Sequence, residues 1–144
     1  MTAKDYLRQV RTLDLKIESR TKEKEDLRER AMCVSAVRTD GDKVTNSGSP
    51  ETFEGLIAKV ADMEAEVDEL VDEFVTLRHR IIGEIHGLED PRYIQLLTLR
   101  YIDYMNLDEI GEYMHYSYEH TRRLHGEALQ EFESCYTMLH NDTL

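Results

Sequence analysis

The sequence predicts an all-α protein in which a long antiparallel helical hairpin, of coiled-coil type, precedes a small three-helix helix-turn-helix module. Three observations support this fold class. Apolar residues recur in alternating three- and four-residue steps along two long stretches, which is the heptad pattern of packed helices. A segment rich in Gly, Ser, Asn and Asp separates the two stretches. The last third of the chain then shows three short helical patterns joined by turn residues.

The first long helix is predicted over residues 6–34. Its seam carries polar residues at Arg20 and Lys24, and is otherwise apolar, at Tyr6, Val10, Leu13, Ile17, Leu27, Ala31 and Val34. Residues 36–50 have turn chemistry and no periodic face, which predicts a loop.

The second long helix is predicted over residues 51–86. Its seam consists of Phe53, Leu56, Val60, Met63, Val67, Leu70, Phe74, Leu77 and Ile81. If Val34 lies opposite Phe53, every apolar seam residue of the first helix faces an apolar residue of the second. Arg20 and Lys24 then lie near the acidic side chains of residues 64–68. This register favours a hairpin within one chain, although the sequence leaves pairing between two chains open. A two-helix core is thin, so packing onto a second copy is also expected.

Residues 87–89 are predicted to be a hinge, since Gly83 and Gly87 weaken the end of the second helix. The predicted domains are therefore residues 1–87, the hairpin, and residues 88–144, the helix-turn-helix domain. Asp90 and Pro91 open the latter, because proline fits the first turn of a helix.

Three short helices follow from the pattern of residues 90–129. Positions at helical spacing that are expected to be buried are Ile94, Leu97 and Tyr101 in the first, Leu107, Ile110 and Met114 in the second, and Thr121, Leu124, Ala128 and Leu129 in the third. Gly111 stands where a partner helix would cross closely. Ser117 follows a tight corner and is a suitable N-cap for the third helix. A short turn between two helices, with a small residue at their crossing, is typical of a helix-turn-helix.

This stretch resembles region 4 of sigma-70-type transcription factors, the module that reads the upstream promoter element. The residues that carry the resemblance are Arg92, Leu96, Leu97, Leu99, Arg100, Tyr101, Glu109, Ile110, Gly111, Ser117, Arg122, Leu124, Ala128 and Leu129. Such modules usually have alanine at the position of Gly111 and an aliphatic residue at that of Thr121. The whole chain is similar to the ArpU-like and RinA-like late-gene regulators of phages and prophages of Gram-positive bacteria.

The resemblance implies a transcription regulator that binds double-stranded promoter DNA in the cytoplasm of a bacterial host. The DNA-facing positions that it implies are Tyr118, Glu119, His120, Arg122 and Arg123. These residue types suit the task, since arginine can bind the N7 and O6 acceptors of guanine and glutamate can accept from the amino group of cytosine. His125 is expected beside them on the exposed face. RNA polymerase is a second partner that the resemblance allows, and the hairpin is the expected site of oligomerisation or docking.

Charge argues against simple DNA binding. The formal net charge is −12, and from Leu88 onward four arginines stand against eleven acidic residues. Phosphate neutralisation supplies most of the affinity of DNA-binding proteins. Either polymerase or dimerisation holds the protein on DNA, or the chain is an acidic interaction protein that binds polymerase or another phage protein without base contacts. A DNA-packaging small subunit is a third interpretation, although that family usually places its DNA module first.

Other classes of function find little support. No apolar run is long enough to span a bilayer, and residues 1–5 lack a signal-peptide core. Cys33 and Cys135 are far apart and are expected to be free thiols. Glu112 and His115 form a single Glu-x-x-His pair without the second copy that a di-iron bundle needs. The sequence thus predicts no enzyme, no cofactor and no metal site.

Overall fold

A computed structural model describes residues 1–38 and 52–141 of the chain. Its elements are α1 (Ala3–Arg38), α2 (Phe53–His86), α3 (Pro91–Leu97), a π-helical turn (Thr98–Ile102), α4 (Leu107–Met114) and α5 (Tyr118–Asn141). The described residues contain helices and no strand. The predicted all-α class, with two long helices followed by a small helical module, is confirmed.

Three helix ends differ from the prediction. Helix α1 runs on through Arg38, so the first three residues of the predicted loop are helical and the remainder of the loop lies outside the described residues. Helix α3 ends at Leu97, and Tyr101 lies in the π-helical turn instead. The sequence predicts that the last helix reaches as far as Tyr136 and that residues 141–144 form a tail. Helix α5 instead continues to Asn141, and residues 142–144 lie outside the described residues.

The long helices bury the predicted seams. All apolar seam residues of α1 and α2 are buried or half-buried, as the heptad pattern requires. Off the seam, Leu15 and Val75 are exposed at 47% and 58%, whereas Leu7 and Ile85 are fully buried in the core near the short helices. Periodicity therefore identified the seam of each long helix, but not every residue that is buried.

The described residues cluster into two compact units, of which one comprises residues 14–73. Within it α1 and α2 pack together in a single chain. Arg28 pairs with Glu64, and Arg20 Nη2 lies 3.6 Å from Glu66 Oε1. The expectation that Arg20 finds an acidic partner on the second helix is confirmed. Both pairs are exposed, so each adds at most about 1 kcal/mol.

The other unit comprises residues 1–13 together with residues 74–144, of which the structure describes those up to 141. Its core joins both long helices to the short ones, and its fully buried side chains include Leu7, Val10, Ile81, Ile85, Leu96, Leu97, Ile110, Leu124 and Phe132. Leu88, which the sequence placed in a hinge, is also buried in this core at 4% exposure. The predicted domain boundary between residues 87 and 88 stays a prediction.

Tyr6 links the start of α1 to this core. Its ring lies 4.8 Å from the ring of Tyr136 and 6.1 Å from that of Phe132, measured between centroids. Its hydroxyl donates to Glu84 Oε1 over 3.0 Å. Burial and the hydrogen bond to Glu84 raise the pKa of Tyr6. The first turns of α1 are thus built into the unit that carries the helix-turn-helix.

Within residues 1–38 and 52–141, no helix combines the length and apolarity that crossing a bilayer requires.

Candidate nucleic-acid interface

Helices α4 and α5 and the corner between them form a helix-turn-helix. Asn106 begins α4, and its side chain accepts a hydrogen bond from the Glu109 N–H over 2.9 Å. His115 ends α4 in the left-handed region, at φ 61° and ψ 42°. The Tyr116 N–H then bonds back to the Gly111 carbonyl over 2.8 Å. These bonds satisfy some of the free backbone groups at both ends of α4 and hold the corner between α4 and α5 in one conformation.

The start of α5 is held by Ser117. Its Oγ accepts from the His120 N–H over 3.2 Å, as an N-cap residue does. Its carbonyl accepts from the Thr121 hydroxyl over 2.8 Å. Because Thr121 is fully buried, this second bond also satisfies a polar atom inside the core.

Gly111 and Thr121 mark the crossing of α4 and α5. A Cβ atom at Gly111 would lie 2.9 Å from Thr121 Oγ1 and 3.0 Å from the Tyr116 carbonyl oxygen. The close approach predicted from the sequence is thus present. This distance explains why glycine occupies position 111 opposite a threonine, since an added Cβ would have to displace Thr121 Oγ1 and the Tyr116 carbonyl.

Hydrogen bonds in α3 and in the π-helical turn hold the chain that precedes the helix-turn-helix. Asp90 caps α3 by accepting from the Arg92 N–H, and its carboxylate also pairs with the Arg92 guanidinium at 2.9 Å. This hydrogen bonding lowers the pKa of Asp90. Arg100 in the π-helical turn donates to the Met105 carbonyl over 2.9 Å, which ties down the chain before α4.

The structure brings three of the five predicted DNA-facing side chains onto one exposed surface of α5. Glu119, Arg122 and Arg123 line a shallow depression with Gly126, Glu127 and Gln130. Tyr118 lies at the first position of the helix and is 51% exposed.

His120 is oriented differently from the other four. It is half-buried, and its ring meets the ring of Tyr116 edge-on at 4.5 Å between centroids. Much of this side chain is therefore engaged with the corner of the motif.

The expectation that His125 is exposed was wrong. His125 is 9% exposed, and its Nε2 lies 2.8 Å from the Tyr101 hydroxyl. Burial lowers the pKa of His125 to about 4, and the positive charges of Arg100, Lys4 and Arg8 act in the same direction. The residue is consequently a neutral member of the core at pH 7.

The arginines after Leu88 differ in whether they are paired. Of the four arginines after Leu88, Arg92 is paired with Asp90 and Arg100 is bonded to a backbone carbonyl. Arg122 and Arg123 are exposed, and neither forms an ion pair with any carboxylate in the described part of the chain. Their charges are available to an external anion, although Glu119 and Glu127 flank them.

A second arginine cluster was not foreseen from the sequence. Arg8 and Arg11 of α1 line a cleft together with Arg100, Tyr101 and Tyr104. The three-residue spacing of Arg8 and Arg11 places them on one face of a helix. No local signal, however, could connect that face with a residue almost ninety positions later.

The described residues contain no group of three or more His, Cys, Asp or Glu side chains arranged to hold a metal ion. Glu112 and His115 are both exposed. Cys33 and Cys135 are free.

Comparison with protein families identifies Sigma-70, region 4, in residues 90–131. This match spans 42 of the 144 residues and contains α3, the π-helical turn, α4 and the first half of α5. No curated protein and no solved structure gives a significant match to the chain. The resemblance to sigma region 4 is confirmed, whereas no match supports the likeness to phage regulators. Residues 90–131 therefore form a helix-turn-helix of the DNA-binding, transcription-regulator type.

Proposed function

We propose that this protein is a non-enzymatic, phage-type transcription regulator that reads promoter DNA with the first turns of α5 in the major groove. The observation that supports it most is the pair of exposed arginines Arg122 and Arg123 on α5, the second helix of the helix-turn-helix within the sigma region 4 match. Among the described residues neither arginine forms an ion pair. In helix-turn-helix proteins the N-terminal part of this helix contacts the base edges.

Each predicted DNA-facing side chain has a role in this proposal. Arg122 and Arg123 bind guanine edges or phosphates, and Glu119 accepts from a cytosine amino group. Tyr118, at the first position of the helix, contacts the phosphate backbone. His120 packs on Tyr116 at 4.5 Å, so it contributes a smaller contact and supports the corner. Ser117 keeps the first turn in place through its bond to the His120 N–H.

The acidic remainder of the chain limits the affinity of a single module. With a net charge of −12, approach to DNA is opposed by repulsion, and only a few positive groups release counterions. In this proposal the long helices supply a second contact, either by oligomerisation or by docking to RNA polymerase. Linking two weak contacts raises the overall affinity without any new base contact.

The same net charge favours one other candidate function. An acidic helical protein can bind RNA polymerase or another phage protein through its helices and make no base contact. Salt separates the two candidates, because DNA binding through arginines weakens steeply with salt. Docking that uses the long helices would not depend on Arg122 or Arg123.

The deciding experiment is selection of duplex fragments from host and phage genomes at low salt, with the retained fragments sequenced. Wild-type protein is compared with an Arg122→Ala/Arg123→Ala variant. An Arg78→Ala/Arg80→Ala variant is the matched control, because it removes the same charge from an exposed stretch of α2. Helicity measured by circular dichroism verifies that all three proteins are folded.

Enrichment of one promoter-like site by wild type and control, lost in the Arg122/Arg123 variant, would support promoter reading. If folded wild-type protein enriches nothing, or if both variants lose binding equally, the DNA-reading proposal fails. A pull-down of RNA polymerase with the intact protein then tests the docking function directly.

A further inference from the structure

A cleft in the unit that carries the helix-turn-helix gathers three guanidinium groups. Arg8 and Arg11 reach it from α1 and Arg100 reaches it from the π-helical turn, while Tyr101 and Tyr104 complete its walls. The volume of the cleft is about 170 Å³. Arg8 and Arg11 lie outside the sigma region 4 match. The cleft therefore depends on how α1 packs against the π-helical turn in this chain, and the family match alone does not predict it.

The three positive charges of the cleft are not engaged in ion pairs within the described part of the chain. Acidic residues outnumber Lys and Arg by 30 to 18 in the chain, so a group of three arginines is an unusual concentration of charge. Clustered guanidinium groups repel one another unless an anion lies between them.

Two of the arginines are held in place by contacts that leave donors free. The Arg11 guanidinium lies over the Tyr104 ring at 4.3 Å from its centroid, a cation–π contact that leaves its N–H groups unused. Arg100 donates one N–H to the Met105 carbonyl, and a guanidinium carries five N–H donors. The cleft therefore presents oriented N–H donors.

The backbone at Tyr104 is held in an uncommon conformation. Tyr104 has φ 61°, a left-handed geometry that costs a non-glycine residue about 1 kcal/mol or more. The Met105 N–H bonds to the Leu99 carbonyl over 2.9 Å, which closes the turn around it. This turn places the Tyr104 ring under Arg11.

The positive charges around the cleft also act on the buried side chain of His125. Arg100, Lys4 and Arg8 all help to lower the pKa of His125, after the larger effect of burial. A histidine that stays neutral here adds no further positive charge. Cations from both α1 and the π-helical turn thus act on the same small region.

We propose that this cleft binds a phosphate group. Guanidinium groups match the geometry of phosphate oxygens through paired N–H donors, and three positive charges suit a doubly charged anion. The cleft is small enough to favour one phosphate over an acidic peptide. The phosphate comes either from a free anion or small phosphorylated molecule, or from the DNA backbone; only the second source rests on the proposed function.

The test is a titration of the ¹⁵N-labelled full chain with inorganic phosphate, followed by amide NMR shifts. Chloride at matched ionic strength provides the reference. An Arg8→Gln/Arg11→Gln variant removes two exposed guanidiniums and leaves Arg100 in its bond to Met105. Arg78→Gln/Arg80→Gln is the control with the same change of charge.

Saturable shifts at residues 100–105 with phosphate, absent with chloride, are expected for wild type. The Arg8/Arg11 variant should bind phosphate about tenfold or more weakly, since it loses two guanidinium groups that form charge-assisted hydrogen bonds to the phosphate oxygens. The control should change phosphate binding less than about twofold, because Arg78 and Arg80 do not line the cleft and exposed charges are screened by salt. Unsaturable shifts, or equal weakening in both variants, would overturn the proposal. Saturable binding of a glutamate-rich peptide without any binding of phosphate would also overturn it.

A second arm identifies the source of the phosphate. If the Arg8/Arg11 variant also loses affinity for duplex DNA beyond its control, the backbone of DNA supplies the group. If DNA binding is unchanged while binding of inorganic phosphate is lost, a free anion supplies it. The Arg122→Ala/Arg123→Ala variant should retain phosphate binding in either case. Failure of DNA reading is therefore distinguishable from failure of the phosphate site.

Discussion

The Tyr101 hydroxyl and His125 Nε2 lie 2.8 Å apart, and this buried hydrogen bond joins the π-helical turn to the middle of α5. The two rings also stack at 5.8 Å between centroids. Both side chains are in the core of the unit that presents Arg122 and Arg123. The orientation of the proposed reading helix therefore depends on a polar contact as well as on apolar packing.

We expect this contact to make stability depend on pH. The pKa of His125 falls from 6.5 in the unfolded chain to about 4 in the folded one, so the unfolded chain binds more protons between these values. Stability is then fully present above pH 6.5 and is lost as pH falls toward 4. The expected loss is ~1–2 kcal/mol, reduced because solvent screens part of the effect.

Urea unfolding at several pH values, for wild type and His125→Gln, measures this loss. Carboxylates titrate in both proteins, so only the difference between them reports His125. The variant should be less stable at pH 7 and should lose less stability toward pH 4. Parallel pH profiles would show that His125 is not the responsible group.

The contact between Gly111 and Thr121 predicts a coupled pair of mutations. Gly111→Ala gains helix propensity of about 1 kcal/mol but places its Cβ against Thr121 Oγ1 and the Tyr116 carbonyl, which costs about 1–3 kcal/mol. Removing the hydroxyl in Thr121→Ala relieves the first clash. The double variant should be more stable than the sum of the single effects by ~0.5 kcal/mol or more.

A double-mutant cycle from urea denaturation measures that coupling. Gly126→Ala is a matched control on α5, because nothing lies within 4 Å of a Cβ added there. It should stabilise the protein and show no coupling to Thr121→Ala. Additive behaviour of Gly111→Ala and Thr121→Ala would contradict the close approach.

The left-handed conformation of His115 predicts a stabilising mutation. His115 ends α4 at φ 61°, a geometry that glycine adopts without steric cost. His115→Gly should raise the free energy of unfolding by ~0.5–1 kcal/mol. His115→Ala is the control, since alanine keeps the Cβ and should bring no gain. Thermal melts of the three proteins compare them, and equal gains in both variants would contradict the backbone explanation.

The proposed DNA contacts predict a change in salt dependence. If Arg122 and Arg123 each neutralise one phosphate, Arg122→Ala/Arg123→Ala should reduce the slope of log K against log salt by about 2. Fluorescence anisotropy with a labelled duplex over a range of salt concentrations measures the slope. Arg78→Ala/Arg80→Ala should leave it nearly unchanged, and an equal reduction in that control would point to a general effect of net charge.

The sequence indicated the helical parts of this fold because their signals are local. The seams of α1 and α2, the cap at Asp90, the glycine at the crossing and the serine before α5 all act within a few residues of their position. The sigma region 4 motif could be recognised for the same reason, since its residues lie within one continuous stretch.

The burial of His125, which was expected to be exposed, could not be predicted from local sequence signals. Its neighbours at helical spacing, Thr121 and Ala128, are buried, yet a histidine suggested an exposed position. Burial becomes favourable because Tyr101, twenty-four residues earlier, supplies a hydrogen-bond partner. The π-helical turn that positions Tyr101 likewise has no signal in the apolar pattern.

What the sequence determined by itself was the all-α class, the two long amphipathic helices and the helix-turn-helix, since periodicity and capping are properties of short segments. The tertiary structure decided which charges stay free. It left Arg122 and Arg123 exposed and brought Arg8 and Arg11 to Arg100. The electrostatic surface depends on distances between residues remote in sequence, and only packing sets those distances.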